Sequence, residues 1–90
     1  MNKQRRKQIS EVVSRVESVQ AELESLLDDI QGIMDEETEY RDNIPENMQG
    51  GDRYEMADNA CSELEEAHET LDNAKDSLEE VVSSLESAAE

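Results

Sequence analysis

His68 is the only histidine of the chain, and Glu65-Glu66-Ala67-His68 places a glutamate three residues ahead of it. That Glu-x-x-His spacing is the one with which four-helix di-iron proteins hold metal. Such a centre also needs carboxylates from facing helices converging on the same core layer. In the heptad frame set out below, Glu65 falls at b and His68 at the flanking e, while the nearby core positions of the first helical stretch are Val19, Leu23 and Leu26. The expectation is a flanking histidine, with no metal and no cofactor. Cys61 is the single cysteine and stands seven residues, two helical turns, from His68, too far for a thiol and its base to share a hydrogen bond. It reads as a small packing residue. A redox sensor or a dimer-bridging thiol is the alternative, and no basic residue stands beside it to favour the thiolate. Paired carboxylates occur throughout, so none is diagnostic without a pocket that sets two of them apart. No catalytic residue is expected, and the chain is read as a non-enzyme.

The balance of residues narrows the function classes. Ninety residues carry 8 Lys and Arg against 25 Asp and Glu, a formal net charge of −17, with 34% hydrophobic residues, two Tyr and neither Trp nor Phe. A chain of this size buries only ~60% of its extended-chain surface even when globular, which leaves little for an enzyme core. The acidity opposes direct binding to DNA, RNA or an anionic membrane, each of which exchanges its counterions for positive charge. A basic protein surface is the natural complement. There is no run of 18 apolar residues, and no apolar stretch follows Lys3, Arg5, Arg6 and Lys7, so neither a membrane span nor a signal peptide is expected. A cytoplasmic location follows, and one unpaired cysteine fits a reducing compartment.

Low hydrophobicity with high charge also marks disorder, so the arrangement of the apolar residues decides. Ile9, Val12, Val16, Val19, Leu23, Leu26, Ile30 and Ile33 alternate spacings of three and four, and the rhythm continues to Glu37 and Tyr40. This is a heptad seam with Ile9 at a and Val12 at d, and Val13, Gln20, Leu27 and Met34 at e widen it to an a, d, e face. In the second half, Leu64, Leu71, Leu78 and Leu85 stand seven apart, each followed three places on by Ala67, Ala74, Val81 or Ala88. The e positions there are Cys61, His68, Lys75, Val82 and Ala89. Bulky residues in one stretch and small ones in the other suit two helices packed together.

Between the stretches lies the only Pro and the only paired Gly, in residues 41–51. Pro45 biases Ile44 toward extended backbone, Gly50 and Gly51 tolerate positive φ, and Asp52 with Glu55 three residues on forms a capping-box-like start. The expected fold is all-α: a single domain over residues 1–90, a long antiparallel two-helix hairpin of coiled-coil type. Its parts are a helix over 3–41, a turn over 42–51 and a helix over 52–88, each helix roughly 55 Å long. Two helices cover only a narrow seam, so one flank of the wide stripe calls for a partner. The expectation is a homodimeric four-helix bundle with Val13, Leu27, Met34 and Val82 at the dimer interface. The turn is furnished by Tyr40, Asn43, Pro45 and Tyr54. It reads as a local lock in which the tyrosines cover the last apolar layer and Glu37 pairs with Arg41 or Arg53, a binding site being the alternative.

By segment, residues 1–7 carry +4, residues 8–40 carry −9, residues 41–51 carry −1 and residues 52–90 carry −11. The basic arm is expected to pair internally with Glu79, Glu80, Glu86 and Glu90. Two hairpin bodies together would bear about 40 negative charges over roughly 55 Å, about one per 1.4 Å against ~1.7 Å for duplex DNA. Mimicry of a nucleic acid is one reading of that density; a solvated acidic face or adaptation to a salty cytoplasm are the others.

The turn carries a resemblance. Glu36-Glu37-Thr38-Glu39-Tyr40-Arg41-Asp42-Asn43-Ile44-Pro45-Glu46-Asn47-Met48-Gln49, followed by Arg53-Tyr54 and the Leu-x-x-Ala repeats, resembles small acidic uncharacterised proteins of bacteriophages and bacterial genomes. These share an aromatic-x-Asp-Asn-x-Pro-Glu-x-x-Gln turn, and the resemblance covers about residues 35 to 85. It implies phage or mobile-element origin, a setting that includes anti-CRISPR and anti-restriction inhibitors acting as DNA mimics. The Trp-x-Gly turn of secreted helical-hairpin proteins is absent. The functional expectation is a non-catalytic acidic module that blocks a basic, nucleic-acid-binding surface, with Glu22, Glu24, Asp28, Asp29, Glu65, Glu66, Glu69 and Asp72 as the contact residues. The alternative is an assembly module that binds a partner helix through its apolar stripe.

Overall fold

A computed structural model describes all 90 residues, as two helices, α1 (Lys3–Asp42) and α2 (Asp52–Ala89), joined through a 3₁₀ turn at Glu46–Met48. There are no strands, and the helices form an antiparallel hairpin measuring 70 × 15 × 13 Å. Asn2 opens α1: its side-chain oxygen accepts from the Arg5 amide at 2.8 Å, satisfying one of the amides a helix start leaves free. After Asp42 the chain turns through right-handed and extended backbone only. Met48 N–H donates to the Pro45 carbonyl at 2.8 Å and Gly51 N–H to the Met48 carbonyl at 3.1 Å. The sequence expectation differs here in two respects. Neither Gly50 nor Gly51 has positive φ. Gly51 instead eases a close approach, since a Cβ there would lie a tight 3.3 Å from the Met48 carbonyl oxygen. Asp52 is not the capping residue: the cap of α2 is Gly51, and Asp52 and Glu55 lie inside the first turn, where their charge suits the positive end of the helix dipole.

Four contacts fix the pairing of the helices. Arg41 Nη1 donates to Asp58 Oδ1 at 2.9 Å, Thr38 Oγ1 lies 3.7 Å from Cys61 Sγ, Lys75 Nζ donates to Glu24, and Gln20 Nε2 donates to Glu79 Oε2 at 3.0 Å. In each pair the two residue numbers add to 99, so the helices keep a single register from Gln20 to the tip, about six turns of α1. Residue 89 is thereby level with residue 10, and the first turns of α1 extend about 10 Å beyond the end of α2.

The seam runs along a and e, not along a and d. Val13 and Leu27 of α1 and Ala57, Cys61 and Val82 of α2 are buried, the a-position Ile9, Val16, Leu23 and Ile30 are half-buried, and Ile44 closes the tip at 4% exposure. By contrast Val19 is 51% and Ile33 54% exposed, and Val12, Leu26 and Tyr40 are exposed with them. Two rows flank a on a helical wheel, and a hairpin seam has room for one of them. The e rows hold Gln20, Arg41 and Lys75, whose cross-helix hydrogen bonds form only when e faces the neighbouring helix. This corrects the expected dimer interface. Val13, Leu27 and Val82 are buried within the chain and Met34 is half-buried there, so these four build the hairpin itself.

Leu27, at 5% exposure, packs in the seam. Leu27→Ala should lower the unfolding free energy by about 2–4 kcal/mol in urea titrations, whereas Glu80→Ala should change it by less than about 0.5 kcal/mol.

Candidate binding surfaces

The register sorts the remaining rows onto opposite faces of the rod. On one face lie the b rows, with Glu17 and Glu24 on α1 and Asp58, Glu65, Asp72, Glu79 and Glu86 on α2. The e-row donors reach into this face: Lys75 to Glu24, Gln20 to Glu79, Arg41 to Asp58. On the other face lie the d rows. That of α1 is Val12, Val19, Leu26, Ile33 and Tyr40, all exposed; that of α2 is Ala60, Ala67, Ala74, Val81 and Ala88, exposed except for the half-buried Ala60. One face is acidic and latched; the other is apolar and open.

The ion pairs are Arg41 with Asp42 at 3.1 Å and Asp58 at 2.9 Å, and Lys75 with Glu24. Only three of the 25 carboxylates take part, which leaves 22 without an internal cation. The expected pairing of Lys3, Arg5, Arg6 and Lys7 with Glu79, Glu80, Glu86 and Glu90 does not form. The register explains this: Glu79 and Glu80 lie level with Gln20 and Val19, well along α1 from the arm. Arg6 shares a shallow depression with Glu86 and Glu90 without an ion pair.

The eight expected contact residues occupy a belt around the middle of the rod, not one patch. Glu24, Glu65 and Asp72 belong to the b face, with Glu24 engaged by Lys75 and Asp72 half-buried. Asp28, Glu66 and Glu69 are exposed on the outer surface. Glu22 and Asp29 are exposed along the rim of the d face. His68, in the e row, is half-buried beside the seam, and Glu65 is exposed; no group of three His, Cys, Asp or Glu side chains converges as a metal site. Cys61 is buried against Thr38, as a packing residue would be.

At the tip the expected lock forms with other partners. Arg41 pairs with Asp58 and Asp42, Glu37 makes no ion pair, and the Arg53 guanidinium lies over the Tyr40 ring, 5.7 Å from its centroid. Ile44, not the tyrosines, closes the apolar layer. Tyr40 is exposed and Tyr54 half-buried, Asn43 caps α1, and Pro45 precedes the 3₁₀ turn. Ile44 escaped sequence reasoning because it stands in the connection before Pro45, although it continues the a row of α1 four residues after Tyr40. The signal was present: it is the one branched apolar residue of the connection.

Hydrogen bonding to Glu24 raises the Lys75 ammonium above the ordinary lysine value of 10.5; Asp42, then Asp58, raise the Arg41 guanidinium in the same way. A raised folded-state value means that the Lys75 latch contributes fully below the ordinary lysine value and is lost as pH rises through the raised one. Lys75→Met should therefore lower the thermal midpoint at about pH 7, and the difference from the parent should shrink as pH rises beyond the ordinary lysine value of 10.5.

No helix is long and apolar enough to cross a membrane. No protein-family model, curated protein or solved structure matches the chain.

Proposed function

We propose that this chain is a non-catalytic acidic binding module that occupies a basic, nucleic-acid-binding surface of another protein by charge mimicry, in the manner of phage-encoded anti-CRISPR or anti-restriction inhibitors. The working unit is a homodimer forming a four-helix bundle. The observation that carries this reading is the surplus of uncompensated carboxylate: 22 acids without an internal cation on a rod 70 Å long. Stable exposed helices ordinarily interleave Glu with Lys four residues on, gaining a few tenths of a kcal/mol per pair. Here that stabilisation is forgone along most of both helices. Two copies, each at −17, along a 70 Å rod place a net charge at about every 2 Å, close to the ~1.7 Å of duplex DNA. The b and f rows carry most of this charge away from the apolar face, so self-association leaves them available. The partner gains by releasing its own anions as the carboxylates replace them.

The open d face favours a second reading, in which a foreign helix lies on it and the acids serve solubility alone.

Displacement of a labelled DNA duplex from a purified DNA-binding protein separates the two. Under mimicry, displacement is strong at about 50 mM salt and largely lost by about 500 mM. The triple variant Glu65→Gln, Glu69→Gln, Asp72→Asn then weakens it about tenfold with unchanged helicity. Displacement that ignores both salt and neutralisation would sink the charge mechanism.

A further inference from the structure

The reading above includes a dimer, and the structure assigns its surface: we propose that a second copy of this chain covers the d face, α1 of one copy lying on α2 of the other about a twofold axis parallel to the rod. The proposal deepens that reading and rests on the dimer it contains.

Shape carries it first. In the middle of the rod the large d residues of α1 stand level, within one residue, with small ones of α2, Leu26 with Ala74 and Ile33 with Ala67, their numbers adding to 100 beside a register of 99, while Val19 stands level with Val81. The small residues leave a shallow groove floored by Ile30, Ala67, Leu71 and Ala74 and edged by Glu63, Glu66 and Thr70, while Leu26 and Ile33 form a ridge at 41% and 54% exposure. A twofold axis along the rod preserves levels. It therefore brings the ridge of one copy to the groove of the other, and vice versa, so that the Leu26 and Ile33 layers hold two large and two small side chains on opposite diagonals and the Val19 layer holds four valines. Layers of equal volume are what a uniform bundle requires.

In this packing the rim acids Glu22 and Asp29 come level with Ser77 and Thr70 of the second copy, where carboxylates meet hydroxyls, while Glu36 comes level with Glu63, a like-charge pair toward the tip that salt screens. The rows from residue 12 to 40 run about 42 Å. With the 15 Å breadth of the rod they give a footprint of roughly 600 Å² per copy, in the class of the about 800 Å² per partner typical of specific dimers.

Light scattering on the full chain tests it. At about 500 mM salt the molar mass should be twice the 10.2 kDa of the chain, and at about 50 mM the dimer should weaken, because each copy brings −17. The double variant Leu26→Glu, Ile33→Glu should be monomeric. A monomeric parent at high salt overturns the proposal, as does a double variant that remains a folded dimer. Should the double variant fail to fold, disulfide capture decides with near-native chains. In a Cys61→Ala background, Val19→Cys mixed with Val81→Cys should give a heterodimeric crosslink under mild oxidation. Crosslinking of Leu26→Cys to itself in place of that product means α1 on α1 and overturns the geometry. None of these readouts involves a nucleic-acid-binding protein, so failure of charge mimicry leaves them untouched.

Discussion

Everything in this molecule depends on one narrow seam held in a single register. Along it, half-buried Ile, Leu and Val at a meet the buried Val13, Leu27, Cys61 and Val82 at e, and polar e residues reach across to carboxylates on the far helix. The seam fixes which rows face which way. Because it consumes a and e, it turns b to one side and d to the other, and so divides a uniformly acidic sequence into a charged face and an apolar one. A shift to an a and d seam would leave Arg41 and Lys75 without their cross-helix partners and would hide the only contiguous apolar surface. Those two side chains are half of the four cations in the chain beyond residue 7, which is why their placement decides the alignment.

The same seam sets the energetics. Six residues are buried, none of them larger than Leu or Ile, so each layer adds little and stability accumulates through length. Against this stand like charges on neighbouring turns, which salt screens and which the three ion pairs offset only locally. A rod of this kind is held near balance by design of its rows. Covering the d face adds apolar burial where the single hairpin has none.

Much of this was legible in the sequence. Alternating spacings of three and four marked both helices, and Pro45 with the Gly pair marked the connection, so helix spans of 3–41 and 52–88 differ from the structure by one residue at each C-terminal end. The wide a, d, e stripe was legible too. What the pattern could not show is which flank faces inward, since Val12 and Val13 are chemically alike and differ only in direction around the helix. The deciding residues were the polar ones: Gln20, Arg41 and Lys75 sit at e because they bridge, and a heptad search that scores apolar residues alone passes over them. The basic arm misled for a related reason. Charge complementarity suggested its partners, but axial register, which no composition records, put Glu79 and Glu80 three turns or more from the arm, and Glu86 and Glu90, near Arg6, form no ion pair with it. The acidic surface was legible as composition and not as a site, because carboxylates on every outward row encircle the rod.

The constant register also governs how the hairpin opens and closes. Arg41 and Asp58 are separated by 17 residues of chain, Thr38 and Cys61 by 23, Glu24 and Lys75 by 51, and Gln20 and Glu79 by 59. Loop-closure entropy rises with separation, by about 1 kcal/mol from the first of these pairs to the last if each had to form alone. The cheapest first contact is therefore at the tip, where Ile44 is already enclosed by the turn, and each later layer closes only a small further loop. Closure entropy favours a zipper from the turn, and fraying is favoured at the other end, where residues 3–9 of α1 lie beyond the last turn of α2. The rod thus has a kinetic polarity: a firm tip, and an end that frays first carrying its only cluster of positive charge.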